Sequence, residues 1–204
     1  MKHIIRKAIV YLSSIEKTNQ SHTLFYRALA DYLSICGESV EDGELEALYR
    51  MEEREGGKPY FPDHPQLHFS ISHSGTCWSC VFAREEIGLD LQEDQLHIKA
   101  ERIAKRFLHP SEWEWLSQND YRDFCRLWAY KESYLKYTGE GIVGGLDSFS
   151  LTDLIRQVDA SERREGTSRI RGASIWQKEL PVKQGYYMVC TAQYPMTVCV
   201  KERF

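Results

Sequence analysis

The 204-residue chain lacks any uninterrupted apolar run close to the roughly 20 residues that a membrane-spanning helix needs. Its first 17 residues include several charged side chains, and the apolar run among them is shorter than the core of a typical secretory signal peptide. These two absences predict a cytoplasmic protein with no membrane partner.

An excess of basic residues is also missing. Lys and Arg number 26 against 30 Asp and Glu, which gives a formal net charge of −4. A general binder of polyanions carries the opposite charge, so no nucleic-acid partner is expected. Any phosphate site must therefore be a local cluster of cations.

The chain contains few cysteines at the spacing of a metal site. Of the six cysteines, only Cys77 and Cys80 form a CxxC pair, and a structural zinc site usually needs a second pair of ligands. Reduced cysteines on a strand are the favoured interpretation, and a redox protein that uses this pair is a remote alternative. The G-x-S-x-G pattern of hydrolases is absent as well, so adjacent Ser72 and His73 do not predict a catalytic triad.

What is present is typical of an α+β protein with a sizeable core, with 42% hydrophobic and 27% charged residues. Apolar spacing predicts helices over 21–35 and 121–138, a strand over 3–12 and a late strand over 146–151. The charged stretch 157–172 is expected to be a mobile hairpin loop. Strands and helices occur in both parts of the chain, which predicts two similar α+β halves, 1–94 and 95–204.

Three short stretches carry candidate chemistry, and the first is "IGLDLQED" at 87–94. Asp90 and Gln92 point to the same face of a strand. Two oxygen-bearing side chains on one face suit a hard cation such as Mg²⁺. A solvated acidic turn is the simpler interpretation of this stretch taken alone.

The second stretch is "WAYKESYLK" at 128–136. On a helix, Trp128, Glu132 and Lys136 share one face, and Lys131 lies beside it. This pattern fits either a carboxylate flanked by two lysines that neutralise phosphate charge or an amphipathic helix with a surface Glu–Lys pair.

The third stretch is "SISHSG" at 70–75. Ser72, His73 and Ser74 offer hydrogen-bonding groups beside backbone amides of a turn, an arrangement suited to a phosphate or a nucleotide edge. Lys58, in "GGKP", is a further cation within reach along the sequence. A turn made of small polar residues is the alternative.

Taken in order, "GGKPYFPDHPQLHFSISHSG", "IGLDLQ" and "LWAYKESYLKYTGEGI" resemble the 4′-phosphopantetheinyl transferases of the surfactin type. That family shows G-K-P, S-H-S, G-x-D-x-E and W-x-x-K-E-x-x-x-K in this order. The resemblance extends over about residues 56–192. It implies transfer of the phosphopantetheine arm of coenzyme A to a serine of an apo carrier protein, with Mg²⁺ and with release of adenosine 3′,5′-bisphosphate. It also implies a pseudo-two-fold pair of halves with coenzyme A in the cleft between them.

By this resemblance, Asp90 and Glu132 are ligands of Mg²⁺, and Glu132 is also the candidate base for the carrier serine. Lys131 and Lys136 are expected to neutralise charge on the pyrophosphate and on the leaving group. The last position of G-x-D-x-E is Gln92 here, and a neutral amide is a weaker ligand than a carboxylate. Either Gln92 or a water molecule then completes the metal shell.

The same resemblance assigns the coenzyme A contacts. His73 is expected at the 3′-phosphate, and Lys58 and Ser72 at the adenine and ribose. The amino-terminal region is short for the family. Lys7, together with Arg6, is a candidate for a further 3′-phosphate contact, with a basic patch on a first strand as the alternative, and Thr23 is a candidate nucleotide contact.

The implied partner is an acidic acyl or peptidyl carrier protein. The stretch 97–109 offers it a basic surface, or else a solvated helix face, with Lys99, Arg102, Lys105 and Arg106. The enzyme is expected to be a monomer. Two other functions remain open: a catalytically weakened protein that binds a carrier or coenzyme A, with Gln92 as the mark of decay, and a different Mg²⁺-dependent enzyme of nucleotides such as a phosphatase.

Overall fold

Two four-stranded sheets form the framework in a computed structural model that describes residues 6–15, 20–38, 40–41, 43–95, 99–141 and 145–202. The first sheet has the order β10-β1-β5-β4, with β1 (Lys7–Ser14), β4 (His68–Ser74), β5 (Cys77–Ala83) and β10 (Thr197–Glu202). The second has the order β6-β9-β8-β7, with β6 (Ile87–Glu93), β7 (Glu165–Ile170), β8 (Ala173–Glu179) and β9 (Tyr186–Ala192). A short ladder pairs β2 (Glu52–Glu53) with β3 (Pro59–Tyr60).

Six α-helices lie between these strands in the described part of the chain: α1 (Ser21–Ile35), α2 (Leu45–Leu48), α3 (Ala100–Phe107), α4 (Pro110–Ser117), α5 (Phe124–Thr138) and α6 (Thr152–Ala160). The expected mixture of helix and strand is therefore confirmed. The helix predicted over 21–35 has the bounds of α1, and α5 begins three residues later than predicted. No helix among the described residues is long and apolar enough to cross a membrane.

Each sheet has a hydrophobic core of its own, and a third core contains buried residues of both sheets. Buried aromatic residues of α1 and the first sheet pack together, with the ring centroids of Phe25 and Phe69 4.9 Å apart. The second sheet is covered by α5, whose residues Leu127 and Tyr130 are fully buried. Cys77 and Cys80 face different cores from opposite sides of β5, which supports their interpretation as strand cysteines.

The predictions over 146–172 were wrong in part. Residues 146–148 form a 3₁₀ turn instead of a strand. Residues 157–172 contain the end of α6 and all of β7, so the expected hairpin is present as the β7–β8 pair, but the stretch is not a loop. The charged residues of this segment are held by ion pairs: Arg164 contacts Asp159 at 2.9 Å and Glu179 at 2.8 Å. Leu154 and Val158, on one face of α6, are buried.

Strand pairing crosses the proposed division at residue 94. Although β6 precedes that point, it pairs antiparallel with β9 of the second sheet. The last strand, β10, returns to the first sheet and pairs parallel with β1. A cut at residue 94 therefore does not coincide with the boundary between the two sheets.

A row of serine hydroxyls joins the sheets where the edge strands β4 and β6 meet. Side chains at alternate positions of β4 accept hydrogen bonds from alternate backbone amides of β6, at 2.9 to 3.1 Å: Ser70 from Leu89, Ser72 from Leu91, and Ser74 from Glu93. We call this row the serine seam. It satisfies amide groups on β6 that would otherwise be exposed along an unpaired edge.

Candidate active site

The structure brings Asp90 of β6 to the face of α5 that carries Glu132 and Lys136. The approach is close because residue 88 has no side chain: a Cβ atom on Gly88 would lie 2.1 Å from the carbonyl oxygen of Ser133. Backbone of α5 therefore lies directly on β6, which only glycine permits at this position. The spacing of Glu132 and Lys136, one helical turn apart, directs both side chains to the same side.

Asp90 is held through one of its two carboxylate oxygens. Its Oδ1 accepts hydrogen bonds from Lys136 Nζ at 2.7 Å and from Ser72 Oγ at 2.8 Å. Lys136 Nζ also donates to Ser72 Oγ at 2.9 Å, and the amide of Leu91 donates to the same hydroxyl at 3.1 Å. Asp90, Ser72 and Lys136 therefore form a closed triangle, with Asp90 only 5% exposed.

Burial shifts both carboxyls in the same direction. Burial raises the pKa of Asp90, and the favourable contacts with Lys136 and Ser72 only partly oppose it. Burial also raises the pKa of Glu132, and the nearby negative charge of Asp90 raises it further, whereas Lys136 lowers it. The two carboxylates are therefore close enough to repel each other.

Each of these carboxylates keeps one oxygen without a partner. Asp90 Oδ2 and Glu132 Oε1 are buried and accept no hydrogen bond in the structure. Buried carboxylate oxygens are normally satisfied, so these two atoms are open positions for a ligand such as a cation. Two carboxylates with free oxygens fit Mg²⁺, which binds proteins through one or two carboxylates and completes its shell with water and phosphate oxygens. Within the described residues, no group of three or more His, Cys, Asp or Glu side chains could hold a metal ion.

A cavity of about 280 Å³ adjoins this cluster. Glu132, Leu135 and Lys136 of α5 line one side. Phe69, Ser70 and Ile71 of β4 line another, and the "GGKP" residues 56–59 close it. The carboxylate and the ammonium group thus lie at the wall of a pocket with apolar residues opposite.

The segment that carries this cluster matches a known protein family. A model of the 4′-phosphopantetheinyl transferase superfamily matches residues 86–199, more than half of the chain, and this span includes both Asp90 and Glu132. The chain belongs to this superfamily. The family resemblance seen in the motifs is confirmed.

Individual transferases of the superfamily are similar to the chain over part of its length. The 4′-phosphopantetheinyl transferase Sfp of Bacillus subtilis (strain 168) is 43% identical over 140 residues, which cover 62% of this chain and 61% of that protein. The 4′-phosphopantetheinyl transferase gsp of Aneurinibacillus migulanus is 32% identical over 160 residues, 72% of this chain and 65% of that protein. The chain thus spans less than two thirds of the length of either relative.

Not every residue that the transferase motifs assign lies at this site. Lys131 is fully buried, and its Nζ pairs with Glu112 Oε2 at 2.8 Å and donates to the carbonyl oxygens of Leu146 and Phe149. Burial lowers the pKa of Lys131 to about 8, although Glu112 opposes the shift. The expectation that Lys131 neutralises a pyrophosphate therefore needs correction: its charge is matched by Glu112 on the other side of α5.

Ser72 and His73 lie on opposite faces of β4. Ser72 is buried in the seam, and its hydroxyl is occupied by Asp90, Lys136 and Leu91, so it orients Asp90 instead of lining the adenine and ribose end. His73 is exposed, inside β4 and not in the turn that follows it. It stands opposite Trp78, whose indole nitrogen donates to Ser21 Oγ, the first residue of α1.

The predicted amino-terminal contacts lie away from Asp90 and Glu132. Thr23 lines a groove between α1 and the segment that leads into α2. Lys7 begins β1, whereas His73 lies at the other end of the first sheet, six residues along the strand direction. At about 3.4 Å per residue the two are about 20 Å apart, too far to hold the same phosphate.

Gln92 shares the face of Asp90 and is half-buried, and its Nε2 lies 3.5 Å from the carbonyl oxygen of Glu93. Glu93 turns to the other side of β6. Its carboxylate accepts a hydrogen bond from Tyr186 at 3.1 Å and another from Gln95 at 2.7 Å. Glu93 therefore does not replace the carboxylate that Gln92 lacks.

Sequence reasoning missed the carboxylates that pair with Lys131 and Lys58, and it missed the part that Ser70 and Ser74 play in joining the sheets. Glu112 and Glu86 have no motif that marks them, since each meets its lysine only in the fold. The sequence does contain a pattern that indicates Ser70 and Ser74. Serines at 70, 72 and 74 alternate along a strand, which places all three hydroxyls on one buried face.

Proposed function

We propose that the protein transfers the phosphopantetheine arm of coenzyme A to a serine of an apo carrier protein. The observation that carries the proposal is the pair of unpartnered oxygens on Asp90 and Glu132, beside Lys136 and at the wall of a cavity. The printed names of the relatives support the same activity for proteins that share this part of the chain.

In this reaction the serine oxygen bonds to the phosphorus that carries pantetheine. The bond from that phosphorus to the bridging oxygen breaks, and adenosine 3′,5′-bisphosphate leaves with the bond's electrons. Glu132 accepts the serine proton, because a carboxylate placed beside the incoming hydroxyl can act as its general base. Asp90 and Glu132 would hold Mg²⁺, which supplies neutralisation of charge on the pyrophosphate oxygens.

Lys136 is the cation of this site. Its side chain is 30% exposed and lines the cavity, while its Nζ donates to Asp90, Ser72 and the carbonyl oxygen of Ile71. Displacement at phosphorus depends mainly on positioning and on neutralising charge, so a fixed ammonium group beside the pyrophosphate lowers the barrier.

The arrangement of the molecule as two related halves belongs to the same proposal. In each sheet the first strand, β1 or β6, is followed by helices and then pairs antiparallel with a strand that returns through a hairpin. This common order supports a pseudo-two-fold pair of halves with coenzyme A along the seam between them. His73 near the first turn of α1 is then the candidate for the 3′-phosphate, because helix amino termini attract anions.

The carrier protein is proposed to dock on α3. Its buried face consists of Ala100 and Ala104, and Arg102, Lys105 and Arg106 are exposed. Residues 97 and 98 of the predicted surface lie outside the described residues. Exposed cations on one helix attract an acidic partner and speed its encounter with the enzyme.

The deciding experiment is intact mass spectrometry of apo carrier proteins incubated with this protein, coenzyme A and Mg²⁺. A gain equal to one phosphopantetheine arm, lost with a chelator and with Glu132→Gln, supports the proposal. Release of inorganic phosphate without carrier modification would indicate a phosphatase instead.

Gln92 motivates a second candidate, a weakened protein that binds coenzyme A or a carrier without turnover. It predicts coenzyme A binding by calorimetry, no modification of several carriers, and recovery of transfer in Gln92→Glu. Transfer by the wild-type protein at a rate similar to that of Gln92→Glu would exclude this candidate.

A further inference from the structure

The loop that joins β2 to β3 lies against the carboxyl end of α5. A Cβ atom on Gly56 would lie 1.7 Å from the carbonyl oxygen of Gly139, the left-handed residue (φ 77°) that ends α5. No side chain fits at position 56 unless one of the two backbones moves. The loop backbone is therefore in direct contact with the helix end.

Lys58, two residues further on, binds the same helix end. Its Nζ donates to the carbonyl oxygen of Tyr137, in the last turn of α5, at 2.9 Å. It also donates to the carbonyl oxygen of Ile87, the first residue of β6, at 3.1 Å, and pairs with Glu86 at 2.5 Å. One buried ammonium group thus links the loop, the end of α5 and the start of β6.

These contacts surround Lys58 Nζ with oxygen atoms of the protein. Two backbone carbonyl groups accept its hydrogen bonds, and the carboxylate of Glu86 provides a third close oxygen as an ion pair. The residue is only 8% exposed, although it is one of the residues that line the cavity. This differs from the contact with the adenine and ribose end that the motif implies.

We propose that residues 56–58 act as a clamp on α5 and that Lys58 is a positioning residue. The last carbonyl groups of a helix have no partner within the helix, and a cation at that end stabilises them. Glu132 and Lys136 lie within the last two turns of α5. The clamp therefore fixes their distance from Asp90, and this consequence for transfer rests on the proposed function.

Hydrogen exchange tests the clamp without reference to activity. In Lys58→Met, amides of residues 134–139 should exchange about tenfold faster than in the wild-type protein, because the last turn opens more often. Lys58→Arg, which keeps the charge, should restore part of the protection. The matched control is Lys178→Met. This half-buried lysine lies on β8 and pairs with Glu165 of β7 at 3.1 Å, so its loss should leave exchange in α5 unchanged.

Steady-state kinetics provide the second readout. A clamp predicts a lower kcat in Lys58→Met with a KM for coenzyme A within about threefold of the wild-type value, because the ammonium group does not bind the nucleotide. Unchanged exchange at 134–139 overturns the proposal, and a large rise in that KM would then make Lys58 a direct ligand.

Two further comparisons distinguish failure of the clamp from misfolding of the variant and from failure of the proposed function. If Lys58→Met does not fold, Gly56→Ala keeps the lysine but forces the loop off Gly139, and protected amides at 134–139 in that variant would also overturn the clamp. If the wild-type protein modifies no carrier, the proposed function fails, while the exchange comparison still decides the clamp.

Discussion

At the scale of single residues, burial decides the protonation of Asp90 and Glu132. Both carboxyls have a raised pKa in the fold, so the folded state binds protons more tightly than the unfolded chain. Their contribution to stability therefore falls as the pH rises through the folded pKa values. A bound divalent cation removes this penalty, because it favours the ionised form of both groups.

This gives a prediction for Asp90→Asn. In chelator, the melting temperature of the wild-type protein should fall relative to that of the variant as the pH rises from 4 to 8. Addition of Mg²⁺ should raise the melting temperature of the wild-type protein at pH 8 and leave that of Asp90→Asn nearly unchanged. Calorimetric scans with and without Mg²⁺ measure both effects, and equal stabilisation of the two proteins by Mg²⁺ would contradict the metal site.

Ser72 and Ser70 offer a matched pair of substitutions. Each serine accepts a hydrogen bond from a β6 amide, so Ser72→Ala and Ser70→Ala should each lower the free energy of unfolding by about 1–3 kcal/mol. Only Ser72 also contacts Asp90 and Lys136. Calorimetric titration with Mg²⁺ should therefore show weaker binding in Ser72→Ala alone; equal affinities in the two variants would show that Ser72 does not orient Asp90.

At the scale of secondary-structure elements, a buried ion pair fixes α5 to α4. Lys131 and Glu112 are both fully buried, and Glu112 also accepts hydrogen bonds from the amides of His109 and Leu151. The capping box at the start of α4, in which Glu112 takes part, is thereby tied to the middle of α5. This pair stabilises the helix that carries Glu132 from a face about 100° away from Glu132.

Lys131→Met should lower the free energy of unfolding by about 3–5 kcal/mol, because it leaves Glu112 charged, buried and unpaired. Lys131→Met combined with Glu112→Gln should recover much of this loss, since no uncompensated charge remains. Denaturant unfolding measures the stabilities. The double variant should transfer phosphopantetheine within about tenfold of the wild-type rate. A double variant that folds stably but has lost transfer would place Lys131 in the reaction after all.

At the scale of the whole molecule, Glu86 lies where the two sheets and the β2–β3 hairpin meet. It pairs with Lys58 of the hairpin, with Arg54 at 3.3 Å and with His68 of β4 at 3.4 Å. Burial alone would raise the pKa of Glu86, but the hydrogen bond with His68 and the charge of Lys58 outweigh it and lower the pKa to about 2. An ionised Glu86 thus stabilises the junction.

The dependence of stability on pH under acidic conditions tests whether Glu86 is ionised in the folded protein. A carboxyl with a lowered pKa contributes stability above its unfolded value of 4.5, and that stability is lost as the pH falls toward 2. Glu86→Gln should therefore destabilise the protein by about 1–3 kcal/mol at pH 7, with a difference from wild type that shrinks between pH 4.5 and 2. Asp153→Asn, at a carboxylate that is 85% exposed, is the control and should show no such trend. A constant difference over this range would mean that Glu86 is not ionised at the junction.

The sequence by itself determined the family, the α+β class and the residues of the carboxylate pair. The resemblance of the ordered motifs to the transferase family assigned Asp90 and Glu132. Helical spacing placed Glu132 and Lys136 on one face, and this spacing depends only on residues near in sequence. The bounds of α1 followed from the same local periodicity.

Only the tertiary structure decided what the motif residues contact. Neighbours on a helix point about 100° apart, so Glu132 at the cavity requires Lys131 to face elsewhere, and only packing brings Glu112 to it. The partners of Lys58 and the return of β10 to β1 join segments far apart in sequence. Such pairings depend on which surfaces are buried together, and local patterns do not contain that information.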